Sequence, residues 1–486
     1  MIATLAFRHL LVRKRRSLFL LLGFSLGVGV MIVLLSVGEA MLEQSRDTSL
    51  VGGGELTVLP LGIDIEAMRT GGLGAMFFGI DRSRFLVREA LGGTRRQDLV
   101  RTVSPGIEGK LLYLHRGNRM VAVRAGGEIP SRAAAVGARL HLLAGSWNDS
   151  RSDSVFIVPT IQRLYDELDR FHLPARPDST WGEWHYFNLV TSPEEWWYVT
   201  FLVGGEVPAG RWGGQLLVTH RSADGKYRRF VTRVPAARVA FDTAHADLTL
   251  GQNYVHQRNG VYQIYAASQS ADDRVSIHLE LTPASRRYFP PVELGGDEFV
   301  SGYVVPALTA DASGTICLGS RCQTLQNVPA YHDHNWGVWR DVTWEWGSGR
   351  GSALSILYGG VSGPEQTSGR GASVRSPFFL TVLDSLGVKQ VLRFDGINYL
   401  GSRRAAGRSN TTAPSNFSLD ATRDADTLRL DVEVLDALGT SVRENRLHRV
   451  FLQMRGHFHL TGRLLGEAVA DTGSGFFETY VGRQRR

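Results

Sequence analysis

One long apolar run stands near the start of the chain, and short alternating runs make up most of the remainder. No charged residue occurs from Ser17 to Gly38, and a helix of that length is about as long as a bilayer core is thick. Further on, strand-like runs such as 196–203 and 261–268 are separated by glycine-rich turns. Regularly spaced short runs of this kind are typical of antiparallel sheets. The pattern predicts one membrane-spanning helix followed by a mainly β protein.

The charges around the apolar run predict its orientation. Arg8 and the basic stretch 13–16 precede it, whereas Glu39 follows it, which places the N-terminus in the cytoplasm. A cleaved signal peptide is the alternative, but its apolar region is typically only about 7–15 residues long. We therefore expect a basic cytoplasmic tail (1–16), a single transmembrane helix (17–40) in the inner membrane, and the bulk of the chain in the periplasm.

Composition narrows the classes of partner and cofactor. The chain has 486 residues with 55 glycines and a hydrophobic fraction of 43%, which suits a strand-rich protein of several domains. The basic tail holds five cationic residues out of a net charge of +7, so no basic stripe is left to bind nucleic acid. Cys317 and Cys322 could form a hairpin disulfide or remain reduced thiols. The residues indicate no cofactor.

Residues 1–165 resemble the beginning of an ABC-transporter permease of the macrolide-exporter type. The motifs that carry the likeness are Ala6-Phe7-Arg8-His9-Leu10-Leu11, Ser36-Val37-Gly38-Glu39, Gly53-Gly54-Glu55-Leu56-Thr57-Val58-Leu59-Pro60 and Gly127-Glu128-Ile129-Pro130. The membrane helices that would complete a permease are missing. The resemblance implies a small α+β periplasmic segment over 41–172, and permease and ATP-binding subunits as partners. A linker with two prolines follows at 173–180.

The densest chemistry in the chain lies in the stretch 331–337. As a strand it would present two faces, one with Tyr331, Asp333 and Asn335 and the other with His332, His334 and Trp336. Burial of Asp333 among aromatic side chains would disfavour its charged form and raise its pKa, which would make it a proton donor. The alternative is a structural network of Asp, His and Asn at the end of a strand.

Residues 180–486 resemble the hydroxyneurosporene synthase / carotenoid 1,2-hydratase family and its AttH-like relatives. The motifs that carry this likeness are Gly302-Tyr303-Val304-Val305-Pro306, the stretch 331–337, Trp344-Glu345-Trp346-Gly347 and Gly475-Phe476-Phe477-Glu478-Thr479-Tyr480. The resemblance implies tandem lipocalin-like antiparallel β-barrels, 181–340 and 341–486. It also implies a hydrophobic ligand, an isoprenoid or a lipid.

Three functions fit these residues. Acid-catalysed hydration of an alkene, as in a carotenoid hydratase (a lyase), needs a proton donor and a place for a carbocation, which aromatic faces could stabilise. A barrel that binds lipid for an ABC transporter without catalysis is the second. A metal site made by the motif with His457 and His459 is the third, although we assign no metal ligands. The predicted catalytic residues are Asp333, His332, His334 and Tyr331, and the predicted ligand-binding residues are Asn335, Trp336, Trp344, Trp346, Trp184, His185 and Glu478.

Overall fold

The computed structural model divides the chain into two compact units, Met1–Val158 and Pro159–Arg486. The residues that it describes are 14–46, 83, 86–87, 100–117, 119–136, 165–166, 168–174, 176–296, 299–338, 343–362, 378–407, 411–444 and 447–482. Most of the predicted permease-like segment therefore lies outside the described residues.

The described part of the first unit includes two helices and a hairpin. Its elements are α1 (Lys14–Arg46), β1 (Gly106–Arg116), β2 (Arg119–Glu128) and α2 (Pro130–Ala135). A leucine-rich run without proline favours the helical conformation of α1. Side chains are described for 18–19 and 22–37 of this helix, and large apolar ones such as Phe24 are exposed. Where placement is described, no helix is both long and apolar enough to cross a membrane. The transmembrane helix predicted over 17–40 is thus not confirmed.

The second unit contains two large antiparallel sheets, so the prediction of a mainly β protein is confirmed. The first sheet has 12 strands in the order β6-β5-β4-β3-β14-β13-β11-β10-β9-β8-β7, with β12 paired to β13. Its strands are β3 (Trp181–Ser192), β4 (Glu195–Gly205), β5 (Trp212–Arg221), β6 (Tyr227–Pro235), β7 (Val239–Phe241), β8 (Asp247–Leu250), β9 (Asn253–Arg258), β10 (Val261–Gln269), β11 (Arg274–Pro283), β12 (Phe289–Gly296), β13 (Phe299–Leu318) and β14 (Arg321–Val338). We call this sheet and its core barrel 1.

The second sheet has nine strands and closes on itself. Its order is β18-β17-β16-β15-β25-β24-β23-β22-β19, and an additional pairing of β18 with β22 at Arg393 and Thr422 completes the ring. We call it barrel 2. Its strands, with the short pair β20–β21, are β15 (Thr343–Gly351), β16 (Ser355–Ser362), β17 (Phe378–Asp384), β18 (Gly387–Phe394), β19 (Asn398–Leu400), β20 (Arg403–Arg404), β21 (Thr412–Ala413), β22 (Asn416–Arg423), β23 (Asp426–Glu444), β24 (Leu447–Leu464) and β25 (Glu467–Gly482).

Alternating side chains fill the core of each barrel. On β11, Val275, Ile277 and Leu279 are buried in barrel 1, and on β24 Leu452 and Met454 are buried in barrel 2. The intervening side chains on these strands are mostly exposed or partly exposed. Each fully buried large apolar side chain contributes about 1.5–3 kcal/mol to folding, so this alternation fixes which face of every strand points inward.

A segment that precedes β3 in the chain also packs inside barrel 1. Tyr165, Leu168 and Phe171 are buried in its core, and Asp169 between them is completely buried. From the sequence we assigned this segment to the preceding region, at the end of 41–172. The amphipathic spacing of its apolar residues explains why it packs against the open apolar face of a sheet instead.

A third core joins the two barrels. It contains Tyr186, Tyr303 and Tyr331 from barrel 1 and Trp346 and Phe476 from barrel 2. These residues lie on the outward faces of their strands, opposite to the side chains that fill each barrel. The aromatic motifs of the sequence therefore meet at the contact between the barrels.

The two cysteines form a disulfide at the far end of the β13–β14 hairpin. Cys317 and Cys322 are directly opposite each other in the register of the two strands. Of the two states left open by the sequence, the structure contains the bonded one. The bond lies next to the hairpin turn, at the end of β13 and the start of β14, away from the motif at 331–337.

Candidate functional site

Strand β14 separates two polar sites, because its predicted functional residues alternate between its faces. Tyr331 belongs to the core between the barrels, whereas Trp336 belongs to the core of barrel 1. The predicted division into two faces is thus confirmed. We call the first site, made by Tyr186, Tyr331, Asp333, Asn335, Trp344, Trp346, Gln453 and Glu478, the inter-barrel site. We call the second, made by Asp169, His172, Glu183, His185, Tyr262, His332 and His334, the histidine network.

Asp333 is held from both sides in the inter-barrel site. The Tyr331 hydroxyl donates to Asp333 Oδ2 at 2.6 Å, and Asn335 Nδ2 donates to Oδ1 at 2.7 Å. Trp346 of barrel 2 donates from Nε1 to the Tyr331 oxygen at 2.9 Å. Only 2% of the Asp333 surface is exposed. The carboxyl group is therefore fixed at the barrel contact by residues of both barrels.

The surroundings of Asp333 favour its protonated form. The pKa of Asp333 is raised to about 8, mainly by burial and also by the negative charge of Glu478, which together outweigh the lowering effect of the hydrogen bonds from Tyr331 and Asn335. A carboxyl group with this pKa is mostly protonated at neutral pH. Asp333 can therefore act as a proton donor where an ordinary aspartate would be a carboxylate.

Glu478 supplies a second carboxyl group to this site from barrel 2. Trp344 Nε1 donates to Glu478 Oε2 at 3.1 Å, and Gln453 Nε2 lies 3.4 Å from Oε1 and 3.0 Å from the Tyr186 hydroxyl. Burial raises the pKa of Glu478, while these polar neighbours lower it. Two carboxyl groups with raised pKa values are typical of acid–base chemistry.

Aromatic rings form the walls around these carboxyl groups. The rings of Trp184 and Trp344 lie 6.2 Å apart across the barrel contact, and Tyr303 meets Trp346 edge to face at 5.0 Å. Trp184, Trp344 and Asn335 are only partly buried, so this side of the site is open to solvent. An apolar wall with a few convergent polar groups is the usual form of a small-molecule site.

The histidine network lies inside barrel 1, on the other face of β14. Asp169 Oδ2 accepts a hydrogen bond from the Tyr262 hydroxyl at 2.7 Å and lies 3.0 Å from His332 Nε2. His334 bridges two carboxylates, with Nδ1 2.8 Å from Asp169 Oδ1 and Nε2 2.8 Å from Glu183 Oε1. These groups are almost entirely buried, and they lie on the face of β14 opposite to the inter-barrel site.

Ion pairs within the network hold its charged groups. Burial lowers the pKa of His334, but its bonds to Asp169 and Glu183 outweigh burial and raise it to about 9. Burial likewise acts to raise the pKa of Asp169, yet the imidazoles of His332, His185 and His334 bring it well below its usual value. His334 is therefore an imidazolium between two carboxylates, which is a structural arrangement.

The network also contains donor atoms that could approach a metal ion. One atom each from Asp169, His185 and His334 lie within 4.8 Å of one another. However, the His185 and His334 rings are stacked at 4.1 Å with only 27° between their planes. Lone pairs in nearly parallel rings do not converge on one ion, and Asp169 is already bonded to His334. The donor set therefore fits a hydrogen-bonded network better than a metal centre.

The metal site predicted from the sequence required a different set of ligands, the motif at 331–337 together with His457 and His459. The structure does not bring these residues together. Asp333 lies on the opposite face of β14 from His332 and His334. His457 and His459 are exposed on barrel 2, where His457 Nδ1 lies 2.8 Å from Ser474 Oγ. Alternation along two separate strands keeps these imidazoles apart.

The predicted site residues thus fall into two groups. The structure brings Tyr331, Asp333, Asn335, Trp344, Trp346, Trp184 and Glu478 to the barrel contact, and it places His332, His334, His185 and Trp336 inside barrel 1. Sequence reasoning missed Tyr186 and Gln453 at the contact and Asp169 and Glu183 in the network. Alternation from Trp184 would have found Tyr186, because residues two apart on a strand share a face.

Comparisons with known proteins add structural neighbours only. No protein-family profile and no curated protein matches the chain. An AttH-like protein from Nitrosomonas europaea is similar at 14% identity and a TM-score of 0.44, over 64% of this chain and 98% of that one. Kievitone hydratase from Nectria haematococca is similar at 14% identity and a TM-score of 0.41, over 63% and 91%. CghA with Sch210972 is similar at 11% identity and a TM-score of 0.44, over 68% and 97%.

AttH-like and hydratase proteins are thus among the structural neighbours of this chain. These likenesses are distant, and we draw no functional conclusion from them. The resemblance of residues 1–165 to a permease has no support from the comparisons and stays a prediction.

Proposed function

We propose that the protein binds a hydrophobic ligand in the inter-barrel site and that Asp333 donates a proton to a carbon–carbon double bond of that ligand. The observation that supports this most directly is the state of Asp333. It is a buried carboxyl group with a pKa raised to about 8, held by Tyr331 and Asn335 and surrounded by aromatic side chains. A neutral acid in an apolar site has the properties that protonation of an alkene requires.

The proposed reaction is the addition of one water molecule. The Asp333 proton forms a C–H bond with the less substituted alkene carbon, and the positive charge develops on the other carbon. The ring faces of Trp346 and Tyr186 would stabilise that cation by about 1–2 kcal/mol each. A water molecule then forms the C–O bond and gives its surplus proton to the Glu478 carboxylate. Glu478 then releases this proton to solvent and Asp333 takes one up, which returns both carboxyl groups to their starting states.

The ligand class in this proposal is an isoprenoid or another lipid with a substituted double bond. The inner-membrane location and the permease and ATP-binding partners predicted from residues 1–165 remain predictions, which nothing in the described residues tests. Non-catalytic binding of the same ligand is the competing function, and it uses the same aromatic walls. The two differ only in what Asp333 does.

The experiment compares turnover with binding in Asp333→Asn. The purified protein is incubated with lycopene, an acyclic carotenoid, in ¹⁸O-labelled water, and labelled alcohol is measured by mass spectrometry. Binding is followed in parallel by quenching of tryptophan fluorescence. We expect turnover to fall by at least about 100-fold, the usual contribution of a general acid, with the dissociation constant changed less than about twofold.

A matched control is available on the opposite face of β15. Glu345 is another carboxyl group with a raised pKa, about 7, but it is bonded to Thr479 and Tyr399 on the side away from Asp333. Glu345→Gln should therefore leave turnover intact. If hydration survives Asp333→Asn, Asp333 is not the proton donor. If the wild type binds the ligand without hydrating it, the function is binding and not catalysis.

A further inference from the structure

An arginine at the barrel contact, Arg455, is only partly exposed and has no compensating carboxylate among the described residues. The Arg455 guanidinium lies 4.7 Å above the ring of Phe476, and its Nη1 donates to the Gly475 carbonyl at 3.0 Å. Among the described residues, no carboxylate lies within ion-pair distance of it, and its buried Nε has no hydrogen-bond partner. Burial lowers the pKa of Arg455 to about 10, so the group still carries its charge at neutral pH.

On two neighbouring strands of barrel 1, one hydroxyl and one amide oxygen are also buried without a hydrogen-bond partner among the described residues. Tyr198, of which 3% is exposed, meets Phe476 edge to face at 5.4 Å, and its hydroxyl has no hydrogen-bond partner among the described residues. Asn188, of which 1% is exposed, is opposite Tyr198 in the register of β3 and β4, and its amide oxygen lacks a partner in the same part of the chain. An amide can offer either its oxygen or its NH₂ group to a ligand.

Groups of this kind are costly to bury alone. An unsatisfied buried donor costs about 1–3 kcal/mol, and an uncompensated buried charge costs more. Arg455 stands in contrast to Arg221 at the same barrel contact, which is paired with Asp436 at 2.8 Å. The chain therefore neutralises one arginine of this contact with its own carboxylate and leaves the other unneutralised.

We propose that Arg455 and Tyr198 form a subsite for the carboxylate, or another anionic oxygen group, of the hydrophobic ligand. This inference rests on the proposed function, because it describes the other end of the same ligand. The guanidinium offers Nε–H and the phenol offers O–H to one oxyanion, and charge-assisted bonds of this type are the strong ones. The ring of Phe476, in contact with both, forms the floor of the subsite.

The register of the strands gives the distance between this subsite and the reactive carboxyl groups. Arg455 pairs with Phe476, and Gln453 pairs with Glu478, one step of two residues further along the same strands. Two residues of a strand span about 6–7 Å. The ligand therefore has its acid group only a few bonds from the double bond near Asp333. This predicts an unsaturated isoprenoid acid or fatty acid as the preferred substrate, with an uncharged isoprenoid such as lycopene accepted but bound more weakly.

The test compares two ligands that differ only in their polar end. Retinoic acid and retinol are titrated into the full-length protein, and binding is followed by quenching of tryptophan fluorescence. We expect the wild type to bind the acid at least about 10-fold more tightly than the alcohol. Arg455→Met keeps an apolar side chain over Phe476 and should abolish this preference through weaker binding of the acid alone. Tyr198→Phe should reduce the preference in part.

Two controls separate charge at this position from charge in general. Arg455→Lys should retain part of the preference, and Arg463→Met, which removes an exposed arginine from the same strand, should retain all of it. Equal affinities of the wild type for acid and alcohol, or equal weakening of both by Arg455→Met, would overturn the subsite. Asp333→Asn separates the two proposals, because it should abolish hydration and leave the preference for the acid unchanged.

Discussion

Replacement of Asp333 by asparagine should make the protein more stable at high pH, although it removes the residue that we propose as catalyst. Burial raises the pKa of Asp333 from 3.8 to about 8. At a pH between these two values, Asp333 is protonated in the folded state but ionised in the unfolded state. Stability contributed by the protonated group is present below about pH 4 and is lost as the pH rises to about 8. The substituted asparagine side chain does not titrate, so the variant would not lose this stability.

The size of this effect is set by the difference between the two pKa values. That difference is about 4 units, each worth about 1.4 kcal/mol, so the full penalty in the wild type is on the order of 5 kcal/mol above pH 8. An asparagine at 333 can accept from the Tyr331 hydroxyl and, with the Asn335 amide turned over, donate to Asn335 Oδ1, so the hydrogen bonds at this position can be kept. The free energy of unfolding of Asp333→Asn, relative to that of the wild type, should rise steadily from pH 5 to pH 8 and then level off.

The assay is urea unfolding of both proteins at each pH unit from 5 to 9. Glu345→Gln is the matched control, because burial raises the pKa of Glu345 from 4.5 to about 7 and its curve should level off one pH unit earlier. Parallel wild-type and Asp333→Asn curves over the whole range would mean that Asp333 is ionised in the folded protein. In that case it could not be the proton donor that we propose.

Three further predictions concern the parts of barrel 1 away from the proposed ligand. His334→Gln should lower the free energy of unfolding by about 3–5 kcal/mol at pH 7, because it leaves the buried carboxylates of Asp169 and Glu183 without their cation. Urea titration measures this loss. A loss below about 1 kcal/mol would contradict the role of the histidine network. The wild type should also lose the His334 contribution as the pH rises from 6.5 through about 9, since the raised pKa favours the charged form only below that value. Reduction of the Cys317–Cys322 bond should cost only about 2 kcal/mol, because the loop that it closes is short, and a reduced sample that no longer unfolds cooperatively would contradict this.

Much of the barrel architecture was predictable from local patterns. On β24 the alternation of Leu452, Met454 and Phe458 with polar neighbours is typical of a strand with one buried face, and these three side chains are buried in barrel 2. The two faces of the stretch 331–337 were predictable for the same reason, because a strand has a fixed period of two residues. Such inferences need only the residues of one strand, and no knowledge of what packs against it.

Contacts between residues that are far apart in the sequence could not be predicted. Asp169 is 165 residues before His334, and no local pattern connects them. From the sequence, Asp333 was therefore grouped with His332 and His334 as one catalytic set, although they lie on opposite faces of β14. The same limitation hid Arg455, which is one more polar residue on an alternating strand until Tyr198 and Phe476 are brought to it.

The two faces of β14 depend on each other through the register of this strand. A slip by one residue would turn Asp333 into barrel 1 and His334 into the barrel contact. The His334 imidazolium would then lie among apolar side chains, and both residues would lose their hydrogen-bond partners. Apolar packing alone penalises such a slip weakly here, because the stretch carries aromatic and polar residues on both faces. The bonds from His334 to Asp169 and Glu183 exist in one register only. The histidine network therefore fixes the register of β14 and so keeps Asp333 at the barrel contact. This explains why a buried polar network lies next to the inter-barrel site without contacting it.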